Sequence, residues 1–283
     1  NNLDALSIIS EIISQSKSYR AYLIRALIYS GLEEYDKALE DYTKCIELDP
    51  QETKAYSKRA YIYVDLEEYD KALVDYAKCI KLDPQDPSSY FNRTTIYENL
   101  EKYDLALLDY NTAVEIDPEE VDNYDYRADL YVLMGENSKA FLDYSKCIEL
   151  YPEEGLYLNN RADFHRNIEE YDNALADYAS VLELPDVSDD AKCRALNNRA
   201  LIYSDQDHEL AIQEYSIIID DYPEEVSDLH YGNRGLSYEY LEQYELALSD
   251  YNTAAELNPE EVDIYGNRAD LYVLMGENSK AFL

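Results

Sequence analysis

The chain has 283 residues and a formal net charge of −37, from 61 acidic against 24 basic residues. A nucleic-acid backbone must be met by Lys and Arg, so this balance excludes a nucleic-acid binder. No run of about 18 apolar residues is present, which excludes a membrane-spanning helix and any partner that requires one.

Length alone suggests about two globular domains at roughly 100–200 residues each. Leu, Ile, Val and Phe together number 68. That is near the ~20% floor below which a highly charged chain is expected to stay disordered. The 32 Tyr and only 7 Gly point the other way. Cys45, Cys79, Cys147 and Cys193 are too few for a disulfide framework, and their spacing does not match metal ligands. They are expected to be small buried residues in a reducing compartment. The opening Asn1-Asn2-Leu3-Asp4 has no basic signal-peptide head, so a cytoplasmic location is expected.

Residues 1–18 read as the second helix of an earlier unit, with Ala5, Ile9, Ile12 and Ile13 in core slots. The unit 19–52 carries Tyr35-Asp36-Lys37-Ala38-Leu39, and Ala38, Tyr42, Cys45 and Ile46 follow at helical spacing. Pro50 closes it, because Pro stops one helix and is tolerated at the start of the next. The pattern returns 34 residues later in 53–86, with Tyr69-Asp70-Lys71-Ala72-Leu73 and Pro84. Units 87–120, 121–154 and 155–188 place Tyr103, Asn137 and Tyr171 at the same point. Looser copies fill 193–227 from His208, 228–261 from Tyr244, and a truncated unit 262–283 from Asn278.

Each unit is expected to be two antiparallel helices. Their first helices should begin near residues 20, 54, 88, 122, 156, 194, 229 and 263. Two insertions break the regularity. Leu184 to Asp190 reads as a loop by composition, and the step from Pro223 to Gly235 is longer than usual. Both ends fall within units, so the natural array is expected to extend further, and cut ends could self-associate. A longer repeat lies over the short one. Residues 101–142 align with 242–283 at 33 of 42 identical positions, which suggests a modular array made by copying.

Tyr56, Ala60, Tyr63, Ala72, Tyr76, Cys79 and Pro84 resemble the framework of the tetratricopeptide repeat family, with Tyr in place of its usual Trp. The resemblance covers nearly the whole chain. It implies an all-α fold, a right-handed superhelical solenoid of antiparallel helix pairs, running as one array over 1–283. It also explains the Tyr excess, since 25 of the 32 stand in four framework slots and supply core area.

Every first helix carries an Arg at one slot, including Arg59, Arg93, Arg127 and Arg161. The matching second helices carry Asp75, Asp109, Asp143 and Asp177 at a facing slot. These rows are expected to form structural ion pairs rather than an anion-binding row. Removing one partner of such a pair strands the other charge.

In stacked helix pairs the first helices line the concave face. One inward slot holds Asn92, Asn160, Asn198, Asn233 and Asn267. A carboxamide both donates and accepts, so such a row can hold an extended main chain. It resembles the asparagine ladders of tetratricopeptide arrays that bind extended peptides. Asn that caps or spaces helices is the competing reading. A neighbouring slot holds Asp129, Asp163 and Asp270, and Asp122, Asp125 and Asp129 share one face beside Tyr126. Aligned carboxylates would draw in a basic segment. The carboxylate clamp of co-chaperone domains does not fit, because Ser57, Tyr61, Asp122 and Tyr126 stand where its Lys, Asn and Arg are needed.

No phosphate loop, nucleophile constellation or calcium loop is present, so neither catalysis nor a cofactor is expected. The leading reading is a scaffold whose groove takes an extended, basic segment of a protein partner. The alternatives are a module that assembles through its convex face or ends, and an adaptor region of a larger protein.

Overall fold

Apolar residues at helical spacing and a stop signal at steps of about 34 residues give this chain its all-α fold. The computed structural model describes residues 2–277. Among these, all regular elements are α-helices, sixteen in number. The chain divides into two compact units, Asn1–Glu136 and Asn137–Leu283.

The first unit comprises α1 (Asn2–Gln15), α2 (Tyr19–Gly31), α3 (Tyr35–Leu48), α4 (Thr53–Asp65), α5 (Tyr69–Leu82), α6 (Pro87–Asn99), α7 (Tyr103–Ile116) and α8 (Val121–Leu133). Here α2 packs along α3, α4 along α5 and α6 along α7. Each second helix also packs on the next first helix, and α1 packs on α2. The second unit comprises α9 (Asn137–Leu150), α10 (Gly155–Asn167), α11 (Tyr171–Glu183), α12 (Asp189–Gln206), α13 (His208–Asp221), α14 (Asp228–Tyr240), α15 (Tyr244–Leu257) and α16 (Val262–Leu274). Its pairs are α10 with α11, α12 with α13 and α14 with α15. The copy of the repeat string that begins at Asn278 lies outside the described residues.

Small residues let the helices approach. Ala26, Ala38 and Cys45 in one pair, and Ala60, Ala72 and Cys79 in the next, are fully buried. Around them Tyr42, Tyr76, Tyr110, Tyr178, Tyr215 and Tyr251 are buried as well, each burying about 150–250 Å² of side chain. All four Cys are free and buried. Burial pushes the Cys45 thiol up to about 12 and the Cys79 thiol up to about 11, so neither is a nucleophile at neutral pH. In α1, Ile13 is buried but Ile12 is exposed. This helix packs chiefly on α2, which covers one stripe and leaves Ile12 outside it.

Among the described residues the turn inside a pair has one form, except between α12 and α13, which meet at Asp207 in extended backbone. Glu34 N donates to Tyr29 O at 2.9 Å, and Glu33 N to Ser30 O at 3.0 Å. This Schellman closure places Glu33 at φ 58°. Glu67, Glu101, Glu169 and Glu242 adopt the same left-handed backbone, while Gly135 and Gly276 hold it in two other units.

One insertion behaves differently from its composition. The loop expected through Asp190 ends at Ser188, whose Oγ accepts from Ala191 N at 3.3 Å. Asp189 and Asp190 become the first turn of α12, where acids are favoured by the helix dipole. The extra residues therefore lengthen this first helix to 18 residues, against 13 in α10 and α14.

Candidate peptide-binding groove

The recurring Arg is committed inside the fold. Arg59 donates Nε and Nη2 to the two carboxylate oxygens of Asp75, both at 2.8 Å. Asp75 is buried. The third donor, Nη1, reaches Thr43 Oγ1 of the preceding second helix at 3.0 Å. One guanidinium thus ties three helices, and its hydrogen bonds with Asp75 hold its pKa above the usual Arg value. Arg93 and Asp109 repeat the fork at 2.7 Å, as do Arg161 and Asp177. Arg127 donates to Asn111 Oδ1 at 2.8 Å, and Asp143 is buried in α9. Arg161 and Arg234 have inter-repeat partners in Ser145 and Ser216. Sequence reasoning missed this third partner. Its signal is a small polar residue 16 positions before Arg59, Arg127 and Arg161, a place that Ala77 holds before Arg93.

In the first unit, Asn92 is half-buried on α6 and its Nδ2 donates to Ser88 O at 2.7 Å. Asn92, Ser88 and Phe91 face Glu120, Asp122 and Asn123 at the start of α8 across a cleft of about 250 Å³. Asp122 and Asp129 are exposed, and Asp125 is half-buried. Tyr126 stands partly in solvent with its ring edge-on to Phe91, centroids 5.2 Å apart. Burial, with the charge of Asp129 adding to it, raises the Glu98 carboxyl above the usual range.

In the second unit, α10 and α12 join in one polar cluster. Arg194 donates Nη2 to Asp163 Oδ2 at 2.5 Å and to Asn160 Oδ1 at 3.1 Å. Asn198 Nδ2 donates to Asp163 Oδ1 at 2.7 Å, and the Tyr178 hydroxyl donates to the same oxygen. The structure thus brings Asn160, Asp163 and Asn198 together, already hydrogen-bonded. Asn233 borders a separate cleft with Arg166, Tyr171 and Ser204. On α16, Asn267 is half-buried and Asp270 exposed.

Arg194 is the site residue that sequence reasoning missed. The longer α12 carries it to α10, where its partners Asp163 and Asn160 lie 31 and 34 residues back. Its one signal is a base outside the recurring Arg slot, which Arg199 fills in the same helix.

Among the described residues, no cluster of three His, Cys, Asp or Glu is placed to hold a metal ion, and no helix is long and apolar enough to cross a membrane.

Two models of the tetratricopeptide repeat match the chain. One covers residues 19–52, 53–86 and 230–261, and the other covers 76–107. No curated protein sequence matches it. A tetratricopeptide repeat protein from Parabacteroides merdae superposes with a TM-score of 0.61 at 18% identity, over 91% of this chain and 100% of that one. Yeast Tom70 gives a TM-score of 0.61 at 20% identity, over 97% of this chain and 59% of its own. YrrB, a tetratricopeptide protein with an unusual peptide-binding site, gives 0.52 at 21% identity, over 68% of this chain and 97% of its own. At such identities these structures speak to the fold alone.

Proposed function

The chain is a multi-repeat tetratricopeptide array, and from that premise we propose that it is a non-catalytic scaffold for an extended, basic segment of a partner protein. The reading takes the repeats as one array, 1–283, with the bounds given by the periodicity. Its binding face is the row of first helices. Carboxamides at Asn92, Asn160 and Asn198 would exchange their present bonds for those of a peptide main chain, and those of Asn233 and Asn267 would join them. Carboxylates at Asp122, Asp125, Asp129, Asp163 and Asp270 would draw in the bases.

One observation carries the proposal. Asp163 and Asn160 hold the guanidinium of Arg194, so this face binds a cation with an acid and an amide together. A partner Arg or Lys would take the place of Arg194. Net gains of ~0.5–1.5 kcal/mol per hydrogen bond suit a site that works by several modest contacts.

A peptide array at low and moderate salt tests this. Basic peptides should bind, acidic ones should not, and salt should weaken binding. Equal binding of both classes, or no salt dependence, would refute the charge reading.

A second reading has an observation of its own. Val74 of α5 and Leu108 of α7 lie one repeat apart and are both well exposed, so the second helices could serve self-assembly. Mass measurement in solution on the chain and on Val74→Lys/Leu108→Lys decides it. A dimer lost in the variant would favour assembly over a groove ligand.

A further inference from the structure

Residues 118–142 and 259–283 are the same sequence at all but three places. Asn123, Asp125 and Tyr126 stand where the second copy has Ile264, Gly266 and Asn267. All three differences fall in the first half of one helix. Both versions fold alike, since α8 and α16 span corresponding residues with the same cap. The helix therefore does not need Asn123, Asp125 or Tyr126.

What they do is visible at α6. Asn123 lines the cleft between α6 and α8, and Tyr126 sets its ring edge against Phe91. In the second copy Phe91 is replaced by Gly232, and Tyr126 by Asn267, so the aromatic pair belongs to the first copy only. Asn123 is 2% exposed, and its Nδ2 has no acceptor. A buried donor without an acceptor is destabilising. Its counterpart Ile264 instead packs in an apolar cluster with Ala254, Ala255 and Tyr231. At this position the first copy keeps a donor that its own fold leaves unused.

The cleft has the size of one side chain, about 250 Å³. Glu120 and Asp122 supply negative charge at its edge, and Phe91, held edge-on by Tyr126, supplies ring surface. Aromatic faces and carboxylates together select a cation. The unused amide N–H selects a carbonyl oxygen.

We infer that the α6–α8 cleft is a recognition pocket for one basic residue of the partner segment. Its cationic head lies against Phe91, which Tyr126 braces, beside Asp122 and Glu120, and its main-chain carbonyl accepts from Asn123 Nδ2. The inference rests on the groove reading above. It adds that one position along the groove is chosen by side chain, and that the second copy lacks the residues for this choice.

The test uses the whole chain and two small probes. N-acetyl-arginine methylamide carries the cation and the carbonyl, and N-acetyl-citrulline methylamide carries a neutral isostere. Nuclear magnetic resonance follows the Asn123 side-chain amide during titration. The arginine probe should give a saturable shift there, with affinity roughly tenfold above the citrulline probe. The variant Asn123→Ile/Asp125→Gly/Tyr126→Asn, built from the residues of the second copy, should lose the saturable shift across α6 and α8 while keeping its circular dichroism. No saturable shift at Asn123 in the unsubstituted chain overturns the inference even where the variant does not fold. Equal affinity for both probes, or unchanged binding by a folded variant, overturns it too. A twelve-residue alternating Lys–Ser peptide separates the two proposals. If it binds the chain and the variant equally, the pocket is wrong and the groove reading stands. If it binds neither, while the arginine probe still saturates, the groove reading fails and the pocket stands.

Discussion

Replacing Arg59 should unfold far more than one exposed salt bridge would. Asp75 is buried and receives two hydrogen bonds of 2.8 Å from Arg59. Removing the guanidinium leaves a carboxylate inside the array, at a cost of about 3–5 kcal/mol. The bond to Thr43 Oγ1 is lost as well, worth ~0.5–1.5 kcal/mol net. Arg59→Leu should therefore destabilise the first unit by about 4–6 kcal/mol. Asp75→Leu should be similarly severe, because it strands the Arg. Leu at both positions removes both charges, and its cost should fall to within about 2 kcal/mol of the unsubstituted chain. The coupling in this double-mutant cycle is then roughly 3 kcal/mol or more. Urea is the suitable denaturant, because guanidinium salts screen the charges under test. Repeat arrays open in parts, so hydrogen exchange of α4 and α5 should accompany the urea curve. Two single variants whose effects simply add, or a single variant costing under about 1 kcal/mol, would refute the reasoning.

Glu67 sits at φ 57° where Gly135 sits at φ 73°. Glu67→Gly should raise stability by about 0.5–1 kcal/mol in urea unfolding, and Gly135→Glu should lower it. His230 Nδ1 accepts from Ser227 N at 3.0 Å, which requires an unprotonated nitrogen. Burial lowers the His230 pKa below its ordinary 6.5. A depressed folded pKa gives a contribution that is present above pH 6.5 and lost as pH falls through the folded value. Hydrogen exchange in α14 should therefore quicken below pH 6.5, beyond the intrinsic pH effect, and His230→Gln should flatten that trend. Arg194→Ala frees Asp163 and Asn160. It should raise affinity for a basic peptide several-fold in calorimetry, with stability changed by less than about 1 kcal/mol because Arg194 is partly exposed. Asn160→Ala/Asn198→Ala/Asn233→Ala should weaken the same peptide by about tenfold or more without unfolding.

The helix pairs were readable because Pro, Ala and Tyr return at fixed spacing, and a 34-residue period leaves little choice of fold. Facing rows of Arg and Asp could be read from the same period. The tie to Thr43 or Ser145 could not, because it depends on how far one pair advances on the next. Period reasoning failed at α12. Ser188-Asp189-Asp190 looks like a loop in isolation, yet it caps and begins a helix once Ala191 follows. Arg194 was lost because it stands outside the recurring Arg slot, which Arg199 fills in α12. The three differences between the copied blocks stood open in the sequence. Only the structure shows that Asn123 is buried with an unpaired N–H while Ile264 packs in an apolar cluster. The rows of Asn and Asp were legible as positions. Their existing hydrogen bonds were not, because an amide can turn to its own helix, as Asn92 does toward Ser88.

The central claim is that a basic segment lies along the first helices. Hydrogen exchange of the chain with and without the alternating Lys–Ser peptide tests it most directly. Protection confined to α6, α8, α10, α12 and α14 is the expected result. Protection on the second helices α5, α7, α11 and α13 alone, or none at saturating peptide, would contradict it.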